Sequence, residues 1–177
     1  SNVACCVNSS EFETERYTAT SGTWTPNTTF NGGSNPLQPN VSADIYIKEQ
    51  LRIPAGVTLT IANMNLHFAP GAHLVIENGI NGQQGGKLTL TNTTLTSDDR
   101  CDDGNYWLGV EVWGNTTTTQ GSLNNTTQGR LYVYSESVIE HAQIGVLVGK
   151  RRVTEVPQWN CPPIITVQPF SFDYARA

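Results

Sequence analysis

The sequence predicts an all-β fold, a parallel β-helix (β-solenoid) with a loop-rich segment at its N-terminus. Three observations lead to this prediction: an apolar register that repeats, a small polar residue at a fixed place in each repeat, and a composition poor in helix formers. Only 14% of the 177 residues are charged, and Thr, Asn, Gly and Ser dominate the polar remainder. That composition is typical of strands joined by turns.

The first 43 residues lack the repeat, and we expect them to form an N-terminal cap. They are rich in Thr, Ser, Asn, Gly and Pro, with aromatic residues scattered among them. A solenoid needs its terminal coil covered, because an open end exposes the apolar core and unpaired strand edges. We therefore divide the chain into a cap at residues 1–43 and β-helix coils at residues 44–177, and we expect the last coil to be cut short.

The apolar register repeats three times with a spacing of 0, +2 and +7. Alternation with a period of two predicts strands, and one break in each repeat predicts a bend. The positions are Leu59, Ile61 and Leu66, then Leu88, Leu90 and Leu95, then Leu131, Val133 and Val138. The +4 position always holds a small polar residue suited to a tight bend, namely Asn63, Asn92 and Ser135. Further alternating stretches at 74–76, 108–112 and 144–148 predict a third face, and three short strands per coil make a parallel β-helix.

Four phrases of the sequence carry a resemblance to a known family. They are IPAGVTLTI, GGKLTLTNTTLTS, WLGVEVWG and GRLYVYSESVIEHAQIGVLVG. Together they resemble secreted right-handed β-helix surface proteins of gliding and gut-associated bacteria, which are exported through the type IX secretion pathway. The resemblance covers roughly residues 45–150. It implies a right-handed coil, an extracellular or cell-surface location and an adhesin-like role, and the phrases carry no catalytic signature.

The net charge argues against nucleic acid as a partner, and the distribution of apolar residues argues against a membrane span. A formal net charge of −5 opposes binding to nucleic acid, which depends on Lys and Arg neutralising phosphates. The basic run at residues 150–152 is predicted to be a solvated turn after the last repeat. The sequence has no apolar stretch near the ~20 residues that span a bilayer, so we expect no membrane span.

The cysteine pattern favours a disulfide over a zinc site. The four cysteines, Cys5, Cys6, Cys101 and Cys161, show neither CxxC nor CxxxH spacing. We favour a Cys101–Cys161 disulfide in an exported protein. Cys5 and Cys6 are adjacent, so they are expected to bond to distant partners or other chains, or to remain free, rather than to bond to each other.

An acidic cluster surrounds Cys101 and raises the question of a metal. Its members are Asp98, Asp99, Asp102 and Asp103. Carboxylate oxygens close in sequence suit Ca²⁺, but the spacing departs from the EF-hand loop, and the alternative is a solvated turn. The three histidines, His67, His73 and His141, share no register, so we interpret them as ordinary surface or turn residues rather than as a metal triad.

Two tryptophans and a glutamate are the predicted ligand-binding residues. Trp107, Glu111 and Trp113 share strand parity and should project outward, while the residues between them point into the coil. The expected inward positions are Leu108, Val110 and Val112. Exposed aromatic rings beside polar loops stack on sugar rings. The alternative is that the loop at residues 115–128 or the N-terminal cap folds over the tryptophans.

These observations predict non-enzymatic adhesion or surface display, with a polysaccharide or cell-surface glycan as the partner. No cofactor is required, although Ca²⁺ is the ion that the aspartate cluster would take. One alternative is a polysaccharide lyase or glycoside hydrolase with its catalytic coils outside this segment. Catalysis by that fold needs paired carboxylates or a basic residue beside Ca²⁺, and Glu111 has no matching carboxylate on the neighbouring coil. The other alternative is a filament subunit whose open C-terminal coil contacts itself or other surface proteins.

Overall fold

The computed structural model describes residues 16–28, 44–98, 106–117 and 126–151. Within these ranges every regular element is a β-strand, which confirms the all-β prediction. The strands are β1 Arg16–Thr18, β2 Gly22–Trp24, β3 Asp44–Ile47, β4 Gln50–Ile53, β5 Thr58–Ala62, β6 Asn65–Phe68, β7 His73–Ile76, β8 Lys87–Thr91, β9 Thr94–Ser97, β10 Gly109–Val112, β11 Arg130–Tyr134, β12 Val138–Ile139 and β13 Val146–Val148. The described residues contain no helix long and apolar enough to cross a membrane.

The strands form three parallel sheets in which every third strand of the chain is a neighbour. Sheet A has the order β1-β4-β7-β10-β13, sheet B has the order β11-β8-β5-β2, and sheet C has the order β12-β9-β6-β3. The chain therefore visits each sheet once in every three strands and returns one strand further along. This is the solenoid-like arrangement of parallel strands that the sequence repeat predicts.

The core lies between the three sheets and is built from stacked apolar residues. Leu59, Leu88 and Leu131, the first positions of the three repeats, are paired in register across sheet B. The second positions of the repeats are paired in the same way. Removing these side chains from water is the main favourable contribution to folding. The structure thus confirms the predicted register at the 0 and +2 positions, while Val133, on the last described coil, is 46% exposed.

The third repeat departs from the predicted +7 register by one residue. Leu95 is paired with Ile139 rather than with Val138. Two residues separate β8 from β9, whereas three separate β11 from β12. Ser135 and Glu136 both have positive φ in this longer bend, at 20° and 58°. Because one additional residue reverses which face a side chain points to, Val138 is 43% exposed.

The bends that follow β5 and β8 contain stacked asparagines. Asn63 has a φ of 58° and Asn92 a φ of 45°, in the left-handed region that Asn tolerates better than most residues. The Asn92 Nδ2 donates a hydrogen bond of 2.8 Å to Asn63 Oδ1, and the Asn63 backbone N donates to Thr91 O at 3.1 Å. The predicted tight bends at these positions are confirmed.

Two strands lie within the range predicted as the cap. β1 pairs with β4 and β2 pairs with β5, so both extend sheets of the solenoid. Trp24 is buried, and its ring centroid lies 5.7 Å from that of Tyr17. These residues cover the core at this end of the described structure. The division at residue 43 stays a prediction.

Candidate functional site

A groove of about 390 Å³ lies where the chain leaves sheet A for sheet B. Two loops form it, one after β7 at residues 77–86 and one after β10 that begins at residue 113. Because β7 and β10 are neighbours in sheet A, both loops leave from the same edge of the solenoid. The residues that line the groove include Asn78, Ile80, Asn81, Trp113, Asn115 and Lys150.

Hydrogen bonds between the two loops hold the groove in shape. Asn115 Nδ2 donates to Gly79 O at 2.8 Å, and the Gly79 backbone N donates to Thr127 O at 2.6 Å. Asn115 Oδ1 accepts from the backbone N and the hydroxyl of Thr117. Gln128 also bonds to the Asn115 backbone. Asn115 therefore organises the groove rather than standing free for a ligand.

Trp113 is half-buried at the wall of the groove. Its indole Nε1 donates a 3.0 Å hydrogen bond to Glu111 Oε2, so the polar edge of the ring points toward the sheet. The Lys150 Nζ lies 4.1 Å from the ring centroid, within cation–π distance. Both the aromatic ring and a cation with three hydrogen-bond donors consequently line one groove.

Glu111 is buried behind Trp113 and paired with Arg151. It is 4% exposed. Its Oε2 also accepts from the Arg151 backbone N at 3.2 Å, and its Oε1 lies 3.8 Å from Arg151 Nε. The Arg151 Nη2 donates to Leu108 O at 2.9 Å. Burial lowers the pKa of Arg151, although the nearby Glu111 charge acts in the opposite direction. Because these donors surround its carboxylate, Glu111 holds the Trp113 indole in position and does not face the groove.

His73 lies on the same outer face of sheet A. Its register partners are Gln50 on β4 and Gly109 on β10. Burial lowers the pKa of His73, while the Glu111 charge raises it and the Arg151 charge lowers it. The neutral ring accepts a hydrogen bond through Nε2 from Gln50 Nε2, 2.8 Å away. A half-buried neutral imidazole thus borders the buried ion pair.

The prediction that Trp107 projects from the coil is wrong. Trp107 is 0% exposed and stacks on Phe68, with ring centroids 4.2 Å apart and planes at 12°. Its Nε1 donates to Glu140 O at 2.8 Å. The reason is Gly109, whose φ of 99° interrupts the strand alternation between Trp107 and Glu111. A fully buried ring offers no surface to a sugar.

The two predicted inward residues of β10 face the core. Val110 and Val112 are buried and paired with Leu74 and Ile76 of β7, as expected.

One residue of the predicted metal cluster, Asp98, lies in the described ranges, and it is buried. Its three predicted partner aspartates and all four cysteines lie outside the described residues. The Ca²⁺ and disulfide predictions therefore stay predictions.

Other candidate ligands in the described ranges lie apart. No group of three or more His, Cys, Asp or Glu residues is arranged to hold a metal there. His67 Nε2 lies 3.1 Å from Asp44 Oδ1, and His141 Nδ1 lies 3.0 Å from Thr96 Oγ1. His73 bonds to Gln50 instead, so the three histidines have separate partners.

The sequence prediction missed the part that the basic run plays in this site. Residues 150–152 were expected to be a solvated turn, but the Arg151 side chain is buried against Glu111. A usable signal was present, because the alternating stretches at 108–112 and 144–148 predict paired strands. That pairing, Val112 with Val148, places Lys150 and Arg151 just beyond β13, beside the end of β10.

The arrangement combines an aromatic ring, a cation and amide-rich loops around one groove. The ring and its polar rim suit a ring-shaped, hydroxyl-rich ligand, because aromatic rings contact the apolar side of such ligands while polar groups orient it. Glu111 and Arg151 support the ring from behind. Comparisons of this chain with protein-family models, with curated proteins and with solved structures find no significant match.

Proposed function

We propose that this chain is the β-helical part of a non-enzymatic extracellular or cell-surface protein that binds a polysaccharide or cell-surface glycan in the groove at Trp113. The observation that carries the proposal is the position of Trp113, half-buried in the groove wall and held there by Glu111. Aromatic rings in sugar sites contact the C–H side of the sugar while nearby donors bind its hydroxyls. Lys150 lines the same groove and supplies such donors.

The setting of this function is part of the proposal. A right-handed coil, export through the type IX pathway and adhesion to a surface rest on the resemblance of the four sequence phrases. The parallel sheets and the Thr-rich outer strands are compatible with that setting. The proposal assigns Glu111 a positioning role, because a general acid or base has to reach a proton of the substrate and this side chain is buried and engaged.

Retention on polysaccharides tests the proposal. The purified chain is run through gels containing plant, algal or bacterial polysaccharides, and new reducing or unsaturated ends are measured in parallel. We expect retention without product, loss of retention for Trp113→Ala, and unchanged retention for Trp107→Phe, which alters a buried tryptophan. Retention on neutral polysaccharides that survives in folded Trp113→Ala contradicts the groove assignment. Release of new chain ends contradicts the non-enzymatic assignment and favours the lyase or hydrolase alternative.

A second candidate function is self-association through the last described coil. Its inward positions Val133, Val146 and Val148 are exposed, because no described strand pairs with the outer edges of β11 and β13. Such an edge is a template for another strand. Sedimentation velocity over a range of concentrations tests this candidate. A filament subunit predicts assembly that weakens in Val146→Thr/Val148→Thr, whereas a monomer at every concentration contradicts it.

A further inference from the structure

The outer face of sheet B carries a second group of residues with ligand chemistry. Alternate strand residues point to opposite faces, so the outward positions of β8 and β11 lie side by side. Arg130 is paired directly with Lys87, and the next outward position on β11 is Tyr132, which is paired with Thr89. Tyr134 follows it on the same face. We call Lys87, Arg130, Tyr132 and Tyr134 the cationic tyrosine strip.

The two cations of the strip have no acidic partner among the described residues. Lys87 Nζ lies 5.0 Å from the Tyr132 ring centroid, and Arg130 Nε is buried without a hydrogen-bond partner. Arg16 and Arg52, on sheet A, are instead paired with glutamates. Like charges directly opposite each other destabilise a sheet. The chain has 15 acidic and 10 basic residues, yet no carboxylate of the described ranges pairs with Lys87 or Arg130, so an anionic ligand would complete the pair.

The two tyrosines supply the other half of the recognition surface. Tyr132 is 36% exposed and Tyr134 is 54% exposed. Their ring centroids are 6.1 Å apart and their planes differ by 9°, so the strip presents two nearly parallel rings along one strand. The hydroxyls of Thr89 and Thr91 lie on the same face, one strand away, and each can donate and accept a hydrogen bond. Repeated rings with flanking hydroxyls suit successive units of a sugar chain.

We propose that the cationic tyrosine strip binds an acidic glycan, with the tyrosines against the sugar rings and Lys87 and Arg130 paired with its carboxylate or sulfate groups. Charge-assisted hydrogen bonds of this kind are among the stronger polar contacts of proteins. The strip uses none of the residues that line the Trp113 groove, so this proposal does not rest on the function proposed for that groove. It also assigns the chain an anionic ligand despite the negative net charge, because the local charge is positive.

Affinity electrophoresis and calorimetry with matched polysaccharides test this proposal on the full chain. The probes are alginate and its carboxyl-reduced neutral form, and dextran sulfate and dextran. We expect one charged polymer to bind at least about tenfold more tightly than its neutral form, and added NaCl to weaken the binding because it screens ion pairs. Binding to alginate alone identifies a carboxylate ligand, and binding to dextran sulfate alone identifies a sulfate ester. Equal binding to charged and neutral forms, or to none of them, overturns the proposal.

Paired variants locate the binding. Lys87→Gln/Arg130→Gln and Tyr132→Ala/Tyr134→Ala should each weaken binding at least about tenfold, the loss expected when several contacts disappear together. Arg16→Gln/Arg52→Gln removes the same charge from sheet A, and Tyr106→Ala removes another exposed tyrosine ring. Both controls should bind as the natural chain does. Equal losses in the sheet A control, or equally tight binding of double-stranded DNA, would show attraction by charge alone and overturn the proposal.

Discussion

Glu111 Oε2 accepts the indole proton of Trp113 at 3.0 Å, two residues along the same stretch of chain. Both side chains follow the outward parity of β10, so the strand itself brings them together. The Arg151 backbone N binds the same oxygen at 3.2 Å. The ring that lines the groove is therefore supported by a buried carboxylate, and the carboxylate by an arginine from the end of the next coil.

Removing this carboxylate should destabilise the fold strongly. Glu111→Ala leaves the Arg151 charge buried without a partner, and we expect a loss of about 3–5 kcal/mol in the free energy of unfolding. Urea denaturation measures it. The matched control is Glu49→Ala, whose partner Arg16 is largely exposed, and it should cost only about 0–1 kcal/mol. Equal losses in both variants would show that burial of the Glu111–Arg151 pair is not what matters.

Stability should fall as the pH drops below about 6.5, the ordinary pKa of histidine, partly because of His73. Burial holds its folded-state pKa below that value. In this window the unfolded chain binds a proton that the folded chain does not, so unfolding is favoured until the pH passes the folded-state pKa. His73→Gln keeps an acceptor for Gln50. In this variant the melting temperature should depend less on pH between pH 7.5 and 5. His141→Gln, which alters a histidine whose side chain is 60% exposed, is the matched control. Identical slopes for His73→Gln and the natural chain would contradict this assignment.

Trp107 should contribute to stability and not to ligand binding. Truncating a ring that stacks on Phe68 at 4.2 Å leaves a large cavity, and Trp107→Ala should cost about 3–5 kcal/mol. Trp107→Phe keeps most of the stack and loses the hydrogen bond to Glu140, so its loss should be smaller. Calorimetric melting of both variants measures the difference. A melting temperature for Trp107→Ala close to that of the natural chain would contradict the packing assignment.

The sequence was sufficient to predict the coils because one physical pattern specifies them. Leu59 and Leu88 begin stretches that share the same apolar spacing, and each must face the core or lose its burial. The bends followed from Asn63 and Asn92, which tolerate a left-handed backbone. Both signals are local, so they can be read without knowing what lies opposite in space.

The site was harder to predict, because it depends on single backbone conformations and on contacts distant in sequence. Parity placed Trp107 on the outer face, but the positive φ of Gly109 turns it inward. An alanine there would bring its Cβ into collision with the backbone oxygen of Ile144, a contact that only the structure reveals. The burial of Arg151 depends on Glu111, 40 residues earlier. From residue type alone, such an arginine is predicted to lie on the surface.

The asparagine bends offer a direct test of how the coils are held in register. Asn92→Ala places a residue that disfavours left-handed φ at 45° and removes the hydrogen bond to Asn63, so we expect a loss of about 1–2 kcal/mol in urea denaturation. Asn92→Gly removes the same hydrogen bond but adopts this φ without a Cβ clash, so it should lose less. If glycine proves as destabilising as alanine, the side-chain bond between neighbouring coils outweighs the backbone conformation. If both variants match the natural chain, neither feature holds the bend, and the stacked leucines alone determine the register.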